Sequence, residues 1–310
     1  MEKSVKKYWP FFLIPTVGAF VIGFIIPFIE GVYLSFCKFN TIKDAEWVGF
    51  KNFIYIFTKE KTGFAAPGGF LDAFLFTGKF TIVSVILINV LAFALALALT
   101  KGIKGTNIFR TIFFMPNLIG GVVLGYVWKT LINCFLSIIG QPLLALNSTA
   151  GYWGLIILMC WQQIGYMMIV YIAGLQSVPD SVIEAAEIDG ANAWKTLFKV
   201  KIPMVMSSVT VCLFLTLSNS FKLFDQNLAL TNGQPYGKGK MTEMLALNIF
   251  NTFYARSGKV WKGYGQAKAV LRGAARRRAH DGAGALPVGT RAARRGARRR
   301  TAARHRGRQL

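Results

Sequence analysis

The chain alternates between long apolar runs and shorter polar segments. The apolar runs cover about 11–29, 80–99, 112–131, 152–175 and, more briefly, 204–217. A helix rises about 1.5 Å per residue, so about 20 apolar residues cross the hydrocarbon core of a bilayer. The pattern predicts an all-α, polytopic transmembrane helical bundle with five evident spans. The alternating strand pattern of an outer-membrane barrel is absent from the sequence. The run at 11–29 lacks a small-residue cleavage site, so it reads as an uncleaved first span rather than a signal peptide.

Positive charge next to membrane spans marks the cytoplasmic side. Lys3, Lys6 and Lys7 precede the first run; Lys101, Lys104 and Arg110 crowd the segment after the second; Lys195, Lys199 and Lys201 precede the fifth. The predicted topology is multi-pass with a cytoplasmic N-terminus. The polar segments after the first, third and fifth runs then face outward, the last of them being 219–267. Lysines in the first outward segment are offset by Asp44, Glu46, Glu60 and Asp72.

Composition agrees with a membrane protein. Of 310 residues, 54% are hydrophobic and 16% charged, against about 25% charged in a soluble domain. Cys37, Cys134, Cys160 and Cys212 have no metal or redox spacing and read as small apolar side chains. The only histidines are His280 and His305, which argues against a histidine metal site or a catalytic triad. No phosphate loop of the form G-x-x-x-x-G-K-[ST] occurs, so ATP hydrolysis is not expected of this chain. The net charge of +23 is unevenly spread: residues 272–310 hold 13 arginines and no lysine, whereas 1–271 hold all 21 lysines and two arginines. That distribution does not describe a nucleic-acid-binding surface.

The polar segment 177–203 carries the most information. Ser177 with Asp180, or Ser181 with Glu184, predicts a capping box, and Pro179 suits a first helical turn. Glu184-Ala185-Ala186-Glu187 favours a helix, and Gly190 supplies a left-handed corner to end it. A second short helix then places Trp194, Leu197 and Phe198 on one face. Pro203 marks the entry to the fifth run. The prediction is a helix–glycine–helix elbow with an apolar face, held between two spans.

Glu184-Ala185-Ala186, then Asp189-Gly190-Ala191, then Phe198-x-Val200-x-Ile202-Pro203 resembles the EAA loop of binding-protein-dependent ABC importer permeases. Val48-Gly-Phe-Lys-Asn-Phe53, Arg110-Thr-Ile-Phe-Phe-Met-Pro116 and Phe224-Asp-Gln-Asn-Leu-Ala-Leu-Thr-Asn-Gly-Gln-Pro235 are similar to the carbohydrate group of that family, the maltose and glycerol-phosphate permease type. The resemblance covers about residues 8–271. It implies the type I importer permease fold in the cell membrane of a prokaryote. It also implies a second homologous permease, two cytoplasmic ATPase subunits and an extracytoplasmic sugar-binding protein. In such a system the elbow docks in a groove of the ATPase, with Glu184 and Gly190 as signature positions. This chain would bind no cofactor, ATP and Mg being used by the ATPase subunits.

Polar side chains inside spans are costly and face a cavity or a neighbouring helix. Gln162, Gln163, Tyr166, Tyr171 and Asn219 are the candidates for a sugar pathway, because neutral hydrogen-bonding groups with aromatic faces suit a sugar ring. Helix–helix hydrogen bonding is the competing role for each. Lys222 and Asp225 have the spacing of an ion pair. Two other functions fit the spans, a membrane scaffold recruiting a cytoplasmic partner and a secondary transporter; the latter wants buried acids for ion coupling, which the runs nearly lack.

The chain divides at 1–79, at 80–271, which holds the permease core, and at 272–310. A sixth span is expected after Leu271, but the sequence turns to Arg, Ala and Gly. An arginine at a span centre costs about 2.5–3.5 kcal/mol. The tail therefore reads as a basic arm for nucleic acid or anionic lipid, which an outward position makes awkward, as a disordered extension or, better, as translated out of frame, since GC-rich codons shifted by one base encode Val, Leu and Ala.

Overall fold

A computed structural model describes residues 11, 13–58, 60, 69–101, 104–144, 148–231, 242–254 and 258–284. Lys3, Lys6 and Lys7, the end of the motif at 232–235 and the tail from 285 lie outside the described residues. Among the described residues, four helices are long and apolar enough to cross a membrane: Leu13–Leu34 (α1), Phe70–Leu99 (α3), Gly121–Ile138 (α5) and Thr149–Gln176, within α6 (Ser148–Gln176). A helix pair bent by 70°, Ala193–Met204 (α8) and Met206–Lys222 (α9), is apolar and long enough taken together to be a broken span or a re-entrant loop. The shorter elements are β1 (Cys37–Lys38), β2 (Glu46–Trp47), α2 (Lys51–Thr58), α4 (Thr106–Phe114), α7 (Asp180–Ile188), α10 (Asp225–Thr231), α11 (Leu245–Tyr254) and α12 (Lys259–Gly284).

The chain forms two compact units, Met1–Phe74 with Leu245–Ala275, and Leu75–Met244 with Arg276–Leu310. In the first, α12 is the organising element. Its Gln266 donates to the Gly31 carbonyl of α1 (2.9 Å), and Tyr264 stacks on Tyr55 of α2 at 4.0 Å. A Cβ at Gly263 would strike the Cys37 carbonyl, so only glycine admits β1 there. The Lys268 ammonium is almost fully buried and donates to Glu60 (2.5 Å), Asn248 (3.0 Å) and Thr252 (3.0 Å). A buried charge persists only when paired and hydrogen-bonded, and this one has three acceptors.

The second unit is built on α6. Phe80, Ile88, Ala92 and Ala96 of α3 are buried at helical spacing and join Leu155, Met159 and Met167 of α6 in one apolar cluster. Phe76 packs on Tyr152, and Phe93 on Tyr171 (ring centroids 5.7 and 5.3 Å), so α3 and α6 run parallel with their C-termini on one side. Both α5 and α9 run antiparallel to α6. Trp128 packs on Trp161, Ser208 lies against Gly174, and the Cys212 thiol points to the Met167 carbonyl. Small residues allow these approaches: a Cβ at Gly165 would clash with the Phe113 carbonyl of α4, and one at Gly125 with Ala229 of α10.

Several boundaries differ from the sequence reading. The run 112–131 is not one span. Helix α4 ends at Phe114, Met115–Leu118 forms a 3₁₀ turn containing Pro116, and α5 starts afresh at Gly121. Hydropathy does not register this break because the residues flanking it are apolar. The segment 219–267 is not a plain polar outward stretch: Asn227 and Leu230 of α10 and Leu245 and Leu247 of α11 are fully buried. Neither predicted capping box forms. Pro179 occupies the N-cap position of α7, and the Ser177 hydroxyl donates instead to the Gly174 carbonyl (2.7 Å). Helix α12 carries through Arg272 and Arg276 to Gly284, so the first part of the basic tail is helical.

Replacing Gly165 by Val should destabilise the protein by about 1–3 kcal/mol or more through overpacking against α4. Gly78→Ala, where a Cβ meets nothing, should be neutral or stabilise by about 0.5–1 kcal/mol. Thermal unfolding in detergent compares the two; equal melting temperatures would contradict the packing described.

Candidate functional site: an elbow and a break at mid-span

The elbow begins where α6 ends. Helix α7 closes in a Schellman motif: the Ala191 amide donates to the Ala186 carbonyl (2.9 Å) and the Gly190 amide to Glu187 (3.0 Å). Gly190 takes the left-handed conformation that this closure needs, with φ +74°. Its Cβ position faces open space, so the glycine is required by the backbone and not by a neighbour. After it, the Asn192 side chain caps α8 by accepting from the Lys195 amide at 2.9 Å. That cap was not anticipated, although an asparagine ahead of a helix is a readable signal.

Helix α8 presents its aromatic residues outward. Trp194 is 69% exposed and Phe198 59%, and their rings stack at 6.0 Å. Glu184, Ala185, Asp189 and Pro203 are exposed; Ala186, Ala191 and Leu197 are half-buried. The helix widens to a π-turn over Leu197–Lys201, ahead of Pro203, which has no amide to offer the preceding turn. The 70° bend into α9 follows at Val205. The elbow is therefore a helical hook, turned at Gly190 at one end and bent just beyond Pro203 at the other, with two aromatic rings at its surface.

The second constellation lies at the centre of α6. Gln162 is the midpoint of that 29-residue helix. Its amide nitrogen reaches the Ile119 carbonyl (3.3 Å), in the break between α4 and α5. Its oxygen accepts from Gln226 (2.7 Å), in the first turn of α10. The neighbouring Gln163 accepts from Asn219 of α9 at 3.1 Å. Helix α9 ends at Lys222, Leu223–Phe224 is non-helical, and α10 resumes beside Gly121 and Gly125 of α5. Two helical runs are thus interrupted, the first beside Gln162 and the second beside both Gln162 and Gln163.

An open cleft of about 200 Å³ sits there, lined by Gln163, Asn219, Lys222, Asp225 and Gln226 over Met159. Lys222 and Asp225 both face this cleft, and no ion pair between them is seen among the described residues. Tyr166 packs half-buried against the apolar cluster. Tyr171 is 2% exposed and donates to Asn89 of α3 (2.7 Å), which donates to Thr216 of α9 (3.0 Å). The geometry gives Tyr171 a tie across three helices rather than an open face.

Helices of membrane-spanning length, interrupted runs that meet around buried polar side chains, and an exposed hook between α6 and α9 are the features of a membrane transport subunit. Residues 88–261 match the family of binding-protein-dependent transport system inner membrane components, and the chain belongs to that family, the permease subunits of ABC transporters. The "Probable starch degradation products transport system permease protein AmyD" of Thermoanaerobacterium thermosulfurigenes is 41% identical over 85% of this chain and 88% of its own length. The multiple sugar-binding transport system permease protein MsmF of Streptococcus mutans is 29% identical over 87% and 92%. In fold, the chain is similar to a bacterial ABC transporter for import of the acidic polysaccharide alginate, with a TM-score of 0.73 at 20% identity over 91% of this chain and 96% of that one.

Gln162→Leu should leave the Ile119 carbonyl and the Gln226 amide unpartnered and cost about 1–3 kcal/mol. Gln162→Glu, which still accepts from Gln226 but sets a second acceptor oxygen against the Ile119 carbonyl, should cost at least as much. Denaturant unfolding in detergent ranks the three; an unchanged Leu variant would contradict the role given to Gln162.

Proposed function

We propose that this chain is the permease subunit of an ATP-driven sugar importer in a prokaryotic cell membrane, with its N-terminus in the cytoplasm. It forms the pathway with a second, homologous permease. Two cytoplasmic ATPase subunits use ATP and Mg and grip the elbow through Trp194, Leu197 and Phe198, while Glu184 and Gly190 set its shape. Sugar arrives from an extracytoplasmic binding protein and passes the mid-span cleft, where Gln163 and Asn219 offer neutral hydrogen-bonding groups. The single observation that carries this reading is the exposed aromatic pair on a hook with a glycine corner, joined through α9 to the cleft. One element thus links a gripping surface to a polar break. The 41%-identical relative is named for starch degradation products, which makes a glucan-derived oligosaccharide the first substrate to test.

The tail is part of the proposal. Arg276 of α12 approaches the hydroxyl of Ser218 at 3.4 Å, next to Asn219 and so close to the level of the mid-span break. An arginine at that depth costs about 2.5–3.5 kcal/mol in insertion. Residues from 272 onward are read out of frame, and the intended chain continues α12 as an apolar sixth span. The nucleotide sequence tests this. A shifted frame after codon 271 should encode about 20 apolar residues; its absence would sink the idea.

Transport is tested in proteoliposomes holding the partner permease, the ATPase and the binding protein. This chain as written should assemble poorly, and a chain with the frame restored should take up labelled maltotriose only with ATP. In the restored chain, Gly190→Val should abolish uptake while leaving membrane insertion intact. Uptake by the Gly190 variant at the unmutated rate, or uptake without ATP, would contradict the proposal.

A further inference from the structure

The first unit carries an exposed aromatic face that transport does not use. Strand β2 alternates its side chains. Glu46 points to one side, where it pairs with Lys38 (2.8 Å) and Lys259 (3.3 Å), and Asp44 also meets Lys259 (3.5 Å). These carboxylates are held below the ordinary range, Asp44 first by the Thr41 amide and Glu46 first by Lys38. Trp47 points to the other side, against Phe36 (5.4 Å) and Tyr33 (5.6 Å). Helix α2 continues that side. Its buried face holds Asn52, which donates to the Ser35 and Cys37 carbonyls, and Ile56. Its opposite face shows Ile54 and Phe57, with Phe50 just ahead of its first residue, at 56%, 44% and 68% exposure. The segment is thus two-faced, with ion pairs on one side and aromatic and aliphatic groups on the other.

An apolar face left in water is rare on this scale. This one adjoins α1, which is exposed on nearly every side and along one of them stacks Phe20, Phe24 and Phe28 at 5.1 and 6.2 Å. The most apolar 18-residue stretch of this helix is only 6% buried within the chain, which leaves its sides open to acyl chains. Tyr33, in the last turn of α1, joins it to Trp47. Tryptophan and tyrosine collect where acyl chains meet headgroups, because their rings are apolar with a polar edge. We infer that Trp47, Phe50, Ile54 and Phe57 form an interfacial foot that lies in the bilayer surface at the end of α1. The charged face of β1 and β2 stays in water. The foot fixes the depth of the first span and braces the outward segment against it, as an amphipathic helix does when it lies in the interface plane.

The test uses the full chain in nanodiscs of phosphatidylcholine bearing a photoactivatable diazirine near the top of the acyl chain. Crosslinked peptides are mapped by mass spectrometry. The peptide containing Trp47 to Phe57 should be labelled as strongly as α1, and the segment around Asp44 should not. The triple variant Phe50→Ser, Ile54→Ser, Phe57→Ser removes only exposed side chains. It should lose most labelling at the foot while labelling of α1 stays unchanged. Labelled α1 with an unlabelled foot would overturn the inference. So would a triple variant labelled like the parent, or loss of foot labelling when the partner subunits are added, which would assign the face to a protein contact. The labelling of α1 is the internal control, so the outcome is independent of whether the chain transports sugar.

Discussion

The hydrogen bond from Gln162 to the Ile119 carbonyl lies where the second unit meets its hardest physical constraint. Inside a bilayer no water is available to an unpaired backbone group, so a helix can break at mid-span only where protein covers the break. Here two helices break, at Met115–Gly120 and at Leu223–Phe224. Both breaks are brought to the midpoint of α6, where one glutamine holds each of them by one end of its amide. The glycines at 121, 125 and 165 follow from that demand. Gly165 admits the Phe113 backbone and Gly125 the Ala229 methyl at distances that a Cβ would prevent, and Gly121 brings Asp225 and Gln226 close.

Covering a break also makes a polar place in an apolar bundle. The amides that satisfy the backbone leave Gln163, Asn219, Lys222 and Asp225 lining a cleft, and polar residues at this depth are the expected mark of a solute path. The cleft and the elbow are mechanically close. Helix α9 starts at the bend beyond Pro203 and ends at the cleft, and it is tied to α6 and α3 by Thr216, Asn89 and Tyr171. One 17-residue helix thus joins the hook to the break.

Much of this was legible in the chain. The sequence around Gly190 predicts a left-handed corner, and its φ of +74° agrees, because only glycine takes that conformation without cost. The apolar face of Trp194, Leu197 and Phe198 followed from helical spacing. The spans at 13–34, 70–99 and 148–176 were visible as hydropathy, although the helices run past the apolar runs on one side or both, since flanking polar residues continue a helix into the interface. What hydropathy could not register was interruption. Residues 112–131 are apolar on both sides of Pro116, and the turn there depends on a tertiary partner forty-three residues away, the Gln162 amide. Helices α10 and α11 were hidden for the opposite reason. Their polar residues, such as Asn227 and Asn248, are buried against partners that only the fold supplies. Tyr171 looked like Gln163 in sequence, yet one faces Asn89 in a packed seam and the other faces the cleft.

The account rests on the claim that the solute crosses at the break around Gln162 and Gln163. The most direct measurement is photolabelling with an azido-oligosaccharide during turnover of the assembled, frame-restored transporter. The account predicts label on the peptides holding Met159–Gln163 and Asn219–Gln226, lost when ATP is withheld. Label confined to other spans, or unaffected by ATP, would contradict it.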